Sequence, residues 1–401
     1  MQRTEWILFL TVLLAVAGFA LPTPVITPMF MAQDGGLLAA GAGQTERVWW
    51  LMGCFALYPL GQMLGSPWLG RLSDRFGRRP VLSAALMGVV FSYVLMAVAI
   101  WWQWLWLLLA ARLLSGLCNG TVAIAQALAA DISAPARKPV LFSRLNIALN
   151  MGWIIGPLAG GLLAEQTGDY AMPFLIAGAV ALLNLAGVRW GLPEQPCSRV
   201  VEAAQVKAVS LWQVPQIRLY LVLTLLSYGA IMLYFNFFNV WLVERFGQTP
   251  FELALAAVIV SVPMSVGSWL AGRLSGRLDL LWLGLAGHLL MALGMGLFIV
   301  PPSLLGLYLV MTVAGVGITI GEQATALGVS NNAPTEQQGE AMGLYRGLAM
   351  GSELSAAVVG VVLILPGLEF AYIGAALLAL SCAVIFLQQA VVRLGWRLMP
   401  G

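Results

Sequence analysis

The amino-acid sequence predicts an all-α polytopic membrane protein, with about twelve transmembrane helices arranged as two pseudo-symmetric six-helix bundles. Three observations carry that prediction. Hydrophobic residues make up 60% of the chain and the mean hydropathy is +0.89, against roughly 45–50% apolar content in a soluble domain. A bilayer-spanning helix needs about 20 mostly apolar residues, so 401 residues hold about twelve spans with short connections and leave no room for a soluble domain. Finally, Gly70-Arg71-Leu72-Ser73 recurs as Gly272-Arg273-Leu274-Ser275, each copy closing the second apolar run of a six-run half, and Arg144 and Arg346 keep the same offset of 202.

In chain order the apolar runs fall at about 6–30, 47–69, 80–100, 103–129, 140–164, 171–191, 216–243, 252–272, 280–300, 303–327, 341–365 and 370–392. The first has a charged start and small residues near Ala20, which also fits a cleaved leader. Removing it would put the next loop on the wrong side for its arginines, so it is read as a span. Pro22, Pro24 and Pro28 are tolerated at its outer end where neighbouring helices or water satisfy the freed carbonyls. The second run ends in the arginine-rich stretch Gly70–Pro80, the fourth contains Arg112, and the fifth contains Pro157 among glycines. The seventh ends in the aromatic run Tyr234–Trp241, and the eleventh holds Arg346 and Glu353. A charged stretch separates the sixth and seventh runs. It divides the chain into an N-terminal bundle (1–192), a cytoplasmic linker (193–215) and a C-terminal bundle (216–401).

With the N-terminus inside, seventeen of the twenty Lys and Arg residues fall on the inner side, Arg47 and Arg245 fall outside, and Arg112 lies within a span. The positive-inside rule therefore predicts a multi-pass protein of the inner (plasma) membrane with both termini cytoplasmic. The formal charge of +3 is a matter of topology and gives no reason to expect nucleic acid; the lipid bilayer is the partner, and a monomer is expected.

Gly70-Arg71-Leu72-Ser73-Asp74-Arg75-Phe76-Gly77-Arg78-Arg79 resembles the loop motif G-x-L-[AS]-D-[RK]-x-G-[RK]-[RK] of the major facilitator superfamily. Arg112-Leu113-Leu114-Ser115-Gly116 looks like that family's R-x-x-Q-G element, with Ser115 in place of glutamine. Gly152-Trp153-Ile154-Ile155-Gly156-Pro157-Leu158-Ala159-Gly160-Gly161 matches every fixed position of its antiporter signature, G-x-x-x-G-P-x-x-G-G. Ala130-Asp131-Ile132, with Arg137 beyond, is similar to the loop between the fourth and fifth helices. The resemblance points to the drug and metabolite proton-antiporter branch, that of tetracycline and multidrug exporters. It runs through the N-half, while the C-half matches mainly in span pattern. It implies the major facilitator fold, two bundles rocking about a midplane site, with Gly70, Asp74, Arg75, Gly77, Arg78 and Arg79 as a conformational switch. The bland reading of these arginines is topology alone. The acidic residues that such exporters carry in the first helix have no clear counterpart here.

Physical chemistry supplies the candidate site. A guanidinium within hydrocarbon costs about 2.5–3.5 kcal/mol even on lenient scales, so Arg112 calls for a functional reason. Asn119 and Gln126 follow at seven-residue steps, which on one unbroken helix drift only about 20° each and predict a polar stripe facing the central cavity. The intramembrane carboxylates are Glu353 and Glu322, with Asp131 at the inner mouth. An acid that alternates between dry and wet surroundings loads and releases protons. Glu353 is favoured and Glu322 is next, with Arg112 as the tuning cation. The competing role for Glu353 is a static ion pair with Arg346 or Arg112. Asn119, Gln126, Asn146, Asn150, Asn236, Asn239 and Arg346 are the cavity candidates. The aromatic run around Asn236 and Asn239 fits an interfacial belt or a substrate gate equally well.

His288 reads as structural. Cys54, Cys118, Cys197 and Cys382 show neither metal nor disulfide spacing, so no metal is expected. There is no P-loop and no nucleophile elbow or HExxH element. Neither ATP use nor enzymatic chemistry is expected, and the proton gradient serves as energy source in place of a cofactor. The function expected is efflux of a small organic compound by proton antiport, as in multidrug resistance. The alternative is a proton-coupled importer or facilitator of a small organic solute, such as a sugar or siderophore-like compound.

Overall fold

The computed structural model describes residues 3–32, 37–38, 41–132, 138–192, 211–275, 277–334 and 337–398. Most of the expected linker, residues 193–210, lies outside them, as do Arg137, Cys197 and the side chains of Asp74, Asp131 and Asn146. Among the described residues the chain is helical without strands. The first half comprises α1 (Arg3–Ala20), α2 (Thr23–Met31), α3 (Gln44–Phe76), α4 (Arg78–Trp101), α5 (Leu105–Cys118), α6 (Thr121–Ile132), α7 (Lys138–Thr167) and α8 (Met172–Gly191). After a turn of 3-10 helix (Leu211–Gln213) come α9 (Pro215–Phe246), α10 (Pro250–Leu274), α11 (Leu280–Leu297), α12 (Leu304–Asn332), α13 (Gln338–Leu363) and α14 (Glu369–Leu398).

The fourteen helices reduce to twelve rods because two spans are broken. Pro22 and Pro24, which cannot donate to the helix ladder, separate α1 from α2. Asn119 and Gly120 separate α5 from α6. Eleven of the rods are long and apolar enough to cross a membrane. The twelfth is α3, whose ends carry Glu46, Arg47, Arg71, Asp74 and Arg75. The break in the fourth span also alters one expectation: the angular register of an unbroken helix does not carry from Arg112 through Asn119 to Gln126.

By its internal contacts the chain forms two compact units, Met1–Ala204 with Leu242–Leu255, and Gln205–Trp241 with Ala256–Gly401. The turn joining α9 and α10 thus belongs to the first unit, where Glu244 lies beside Gln44. Leu8, Val12, Leu82, Ala85, Leu145 and Val188 centre the first core. The burial of Leu8 and Val12 makes α1 an integral member of that bundle. Ile217, Leu221, Ala324, Tyr345 and Phe386 centre the second.

Lipid tails are as apolar as a protein core, so helix association here depends on close packing through small residues. A Cβ at Gly65 on α3 would stand 2.1 Å from the Leu117 carbonyl oxygen of α5. In the second half Gly267 on α10, at the same 202-residue offset, would meet Thr319 Oγ1 of α12 at 2.2 Å. The second span of each unit packs onto the fourth through an equivalent glycine, a duplication that the four-residue sequence repeat only hinted at.

Candidate functional site

The arginine-rich segment is a bend of one residue. Helix α3 runs on through Ser73 and Arg75 to Phe76, and α4 begins at Arg78. Gly77 between them has φ +94°, a region that only glycine enters readily. Buried Ser73 donates to the Gly70 carbonyl at 2.8 Å and accepts from the Arg78 guanidinium at 2.7 Å. Arg79 donates to the carbonyl of Arg189 at the end of α8. Arg75 lies over the Phe76 ring at 5.4 Å. The second copy keeps the first of these bonds, Ser275 to the Gly272 carbonyl at 3.0 Å. Asp279 then caps α11 through the Leu281 amide at 3.0 Å and pairs with Arg393 of α14 at 2.8 Å.

Arg112 is 6% exposed within α5. It lies beside the Cys54 thiol and over the Tyr58 ring at 5.8 Å, and leaves its Nε without an acceptor. Beside it Tyr93 donates to the Gly18 carbonyl at 3.1 Å. Tyr58, Tyr93, Ser115, Asn119 and Asn184 line a small internal cavity of the first unit. Asn119 ends α5 and Gln126 is half-buried on α6. Asn150 is exposed on α7. Glu5, the acid of α1, pairs with Arg144 of α7 at 2.9 Å.

The glycine row of α7 is seated on the first span. A Cβ at Gly152 would stand 2.7 Å from Val16 Cβ, one at Gly156 would stand 2.6 Å from the Ala17 carbonyl oxygen, and one at Gly160 would stand 1.7 Å from that of Leu21. Gly161 faces Pro250 and Phe251 at the start of α10. Pro157 is buried beside them. The row therefore runs along the last turns of α1 and ends, at Gly160, on the break between Ala20 and Thr23.

In the second unit the Tyr228 hydroxyl of α9 donates to Glu322 Oε1 of α12. The Tyr345 hydroxyl of α13 lies 3.4 Å from that of Tyr228, with Thr325 beside it. Arg346 sits 6.0 Å from the Tyr345 ring centroid. Glu353 is half-buried on α13 with no hydrogen bond or ion pair to any described residue of its unit, so the proposed pairing with Arg346 is not formed. His288 is fully buried. One ring nitrogen is 2.8 Å from the Gly284 carbonyl, so it carries the proton, and the other, 3.1 Å from Ser227 Oγ, accepts. Phe386 stacks on the ring at 5.2 Å.

The aromatic run of α9 does not form an interfacial belt. Tyr234, Phe237 and Phe238 are buried. Tyr234 and Trp241 close a cluster with Phe298 and Tyr372, in which the last two rings stack at 4.7 Å. An interfacial belt would face lipid; these rings pack inward. Asn236 and Asn239 are half-buried beside them, and Asn236 Nδ2 has no acceptor. Sequence reasoning also passed over Cys54, Tyr58, Tyr228 and Tyr345. Their only signal is a polar atom inside an apolar run, too common to single out.

Comparison with known proteins agrees with this architecture. The family model of the Major Facilitator Superfamily matches residues 8–352 and 220–395. A stretch of 130 residues is 42% identical to the class B tetracycline resistance protein of Escherichia coli, covering 32% of this chain and 30% of that protein. Another of 184 residues is 31% identical to the quinolone resistance protein NorA of Staphylococcus aureus, covering 46% and 43%. The matched stretches thus span less than half the length of these relatives, 30% and 43%. Among solved structures, the nucleoside transporter NupG superposes with a TM-score of 0.77 at 13% identity, over 96% of this chain and 99% of that one. A D-xylose–proton symporter gives 0.76 at 18%, over 95% and 97%. The chain belongs to the Major Facilitator Superfamily.

Proposed function

We propose that this chain is a secondary active transporter that exports a small organic compound, drug or metabolite, by proton antiport and alternating access. The observation that carries this reading is the complete glycine–proline row of α7, whose Gly152 and Gly156 sit against the last turns of α1 and whose Gly160 sits on the break of the first span. A span that must bend without losing its neighbours needs such a smooth seat. Similarity to tetracycline and quinolone resistance proteins supports the same reading.

Within it, Glu353 carries the proton: a half-buried carboxylate without a partner is most easily held neutral, and ionises once water reaches it. Glu322 and, at the inner mouth, Asp131 are the further acids, and Arg112 tunes the N-terminal bundle. Gly70, Asp74, Arg75, Gly77, Arg78 and Arg79 form the switch between states. Asn119, Gln126, Asn146, Asn150, Asn236, Asn239 and Arg346 contribute to substrate binding. The proton gradient supplies the energy without a cofactor or enzymatic step, and the protein works as a monomer in the plasma membrane with both termini cytoplasmic.

Inverted vesicles loaded by an imposed pH gradient test this. A panel containing tetracycline, a fluoroquinolone and labelled siderophores and sugars is expected to include a compound that accumulates only with the gradient. Equal uptake of every compound with the gradient collapsed would refute the reading.

A further inference from the structure

Three helices of the second unit meet at one hydrogen-bonded chain, Glu322–Tyr228–Tyr345. The Thr325 hydroxyl beside them donates to the Glu322 backbone carbonyl at 2.8 Å. Both phenols are buried, and their rings meet edge to face at 5.9 Å, which fixes the two hydroxyls. The charged and titratable groups around Glu322 are few. From α9 there is Tyr228; from α13, Tyr345 with Arg346 beyond it. From α11 there is His288, which packs on Gly321, the residue before Glu322, with both ring nitrogens already engaged. Gln323 on the same helix turns away to Ser268 at 2.8 Å.

We propose that Tyr228 and Tyr345 are positioning residues that set the proton affinity of Glu322 and make this carboxylate a second titrating group of the transport cycle. The proposal rests on the proton-coupled reading above. When Glu322 is charged, Tyr228 donates to it and Tyr345 donates to Tyr228. When a proton from water binds the carboxylate, the new hydroxyl donates to Tyr228, Tyr228 donates to Tyr345, and Tyr345 turns its hydrogen away from Tyr228. Every phenol keeps its own hydrogen and only rotates, and the proton leaves by the carboxylate to water. The direction of the chain through α9, α12 and α13 therefore reports one charge.

The test is an infrared titration of the carboxylic C=O band of purified protein in nanodiscs, with Glu322→Gln subtracted to isolate this group. Tyr228→Phe removes a donor to the charged form while keeping the ring. The midpoint is expected to rise by about one pH unit, the size of one hydrogen bond to a charge, and Tyr345→Phe is expected to shift it less in the same direction. In a Glu322→Gln background neither change should move any band. An unmoved midpoint in Tyr228→Phe, with or without a lower melting temperature, marks the phenols as packing groups and overturns the assignment. A moved midpoint with no gradient-driven uptake of any panel compound by the wild type overturns the exporter reading and leaves the phenol–carboxylate pairing standing.

Discussion

Replacing Gly160 with alanine tests the seat of α7 directly. The added carbon would sit 1.7 Å from the Leu21 carbonyl oxygen and 2.6 Å from its carbon, and both atoms are backbone, so no rotamer relieves the clash. The helices must part by about an ångström or more to restore ordinary contact distance, and the separation also loosens Gly156 and Gly152 along the same row. Overpacking of well-packed sites costs about 1–3 kcal/mol, and a backbone clash belongs at the upper end. Taking about 3 kcal/mol, the apparent melting temperature in detergent should fall by about 6–10 °C, read at one scan rate because such unfolding is irreversible. Gly187→Ala on α8 is the control: nothing lies within 4 Å of its Cβ position, and alanine is the better helix former. The reasoning fails if Gly160→Ala melts and transports like the wild type while Gly187→Ala behaves identically.

Glu353→Gln mimics the protonated acid, so substrate exchange across vesicles should persist while accumulation driven by a pH gradient disappears; a variant that still pumps uphill with wild-type pH dependence would move the role to another carboxylate. Arg112→Ala should reduce transport more than Arg112→Lys, because lysine restores a charge but not the planar fork beside Cys54 and Tyr58; equal rates in the two would reduce Arg112 to a bare charge. Asp279→Ala removes both the cap of α11 and the ion pair with Arg393. A cap is worth about 1 kcal/mol and an exposed pair less, so a drop of about 2–4 °C is expected, and no change would mean that the cap is replaced by water.

Span number and the duplication were legible in the sequence because lipid enforces them: about 20 apolar residues per crossing, with charge permitted only at the ends. The seat of α7 was legible for the same reason, since glycine spacing maps directly onto a helix face. What was not legible depended on contacts between helices. The aromatic run at Tyr234 looked interfacial because its position along the helix is near an end, and position alone does not say which way a ring points. Tyr228 and Tyr345 lie on different helices and far apart in sequence, so no local pattern brings them to Glu322. The break at Asn119–Gly120 was missed because one glycine and one amide are weak signals in a span where the eye follows hydropathy.

The two units also show how a duplicated framework retains geometry while changing its chemistry. In the first, the start of the third span is tied to the end of the sixth by Arg79 donating to the Arg189 carbonyl. In the second, the corresponding ends are tied by Asp279 and Arg393. One tie uses a cation at a helix C-terminus, where the dipole favours it; the other uses an anion at a helix N-terminus, favoured by the same dipole at its opposite end, and adds a cation across from it. The second copy has Asp279-Leu280-Leu281 where the first has Gly77-Arg78-Arg79. Asp279 replaces the single-residue glycine bend by a cap and supplies its own partner. The second copy therefore keeps a brace within its bundle while lacking counterparts of Arg78 and Arg79.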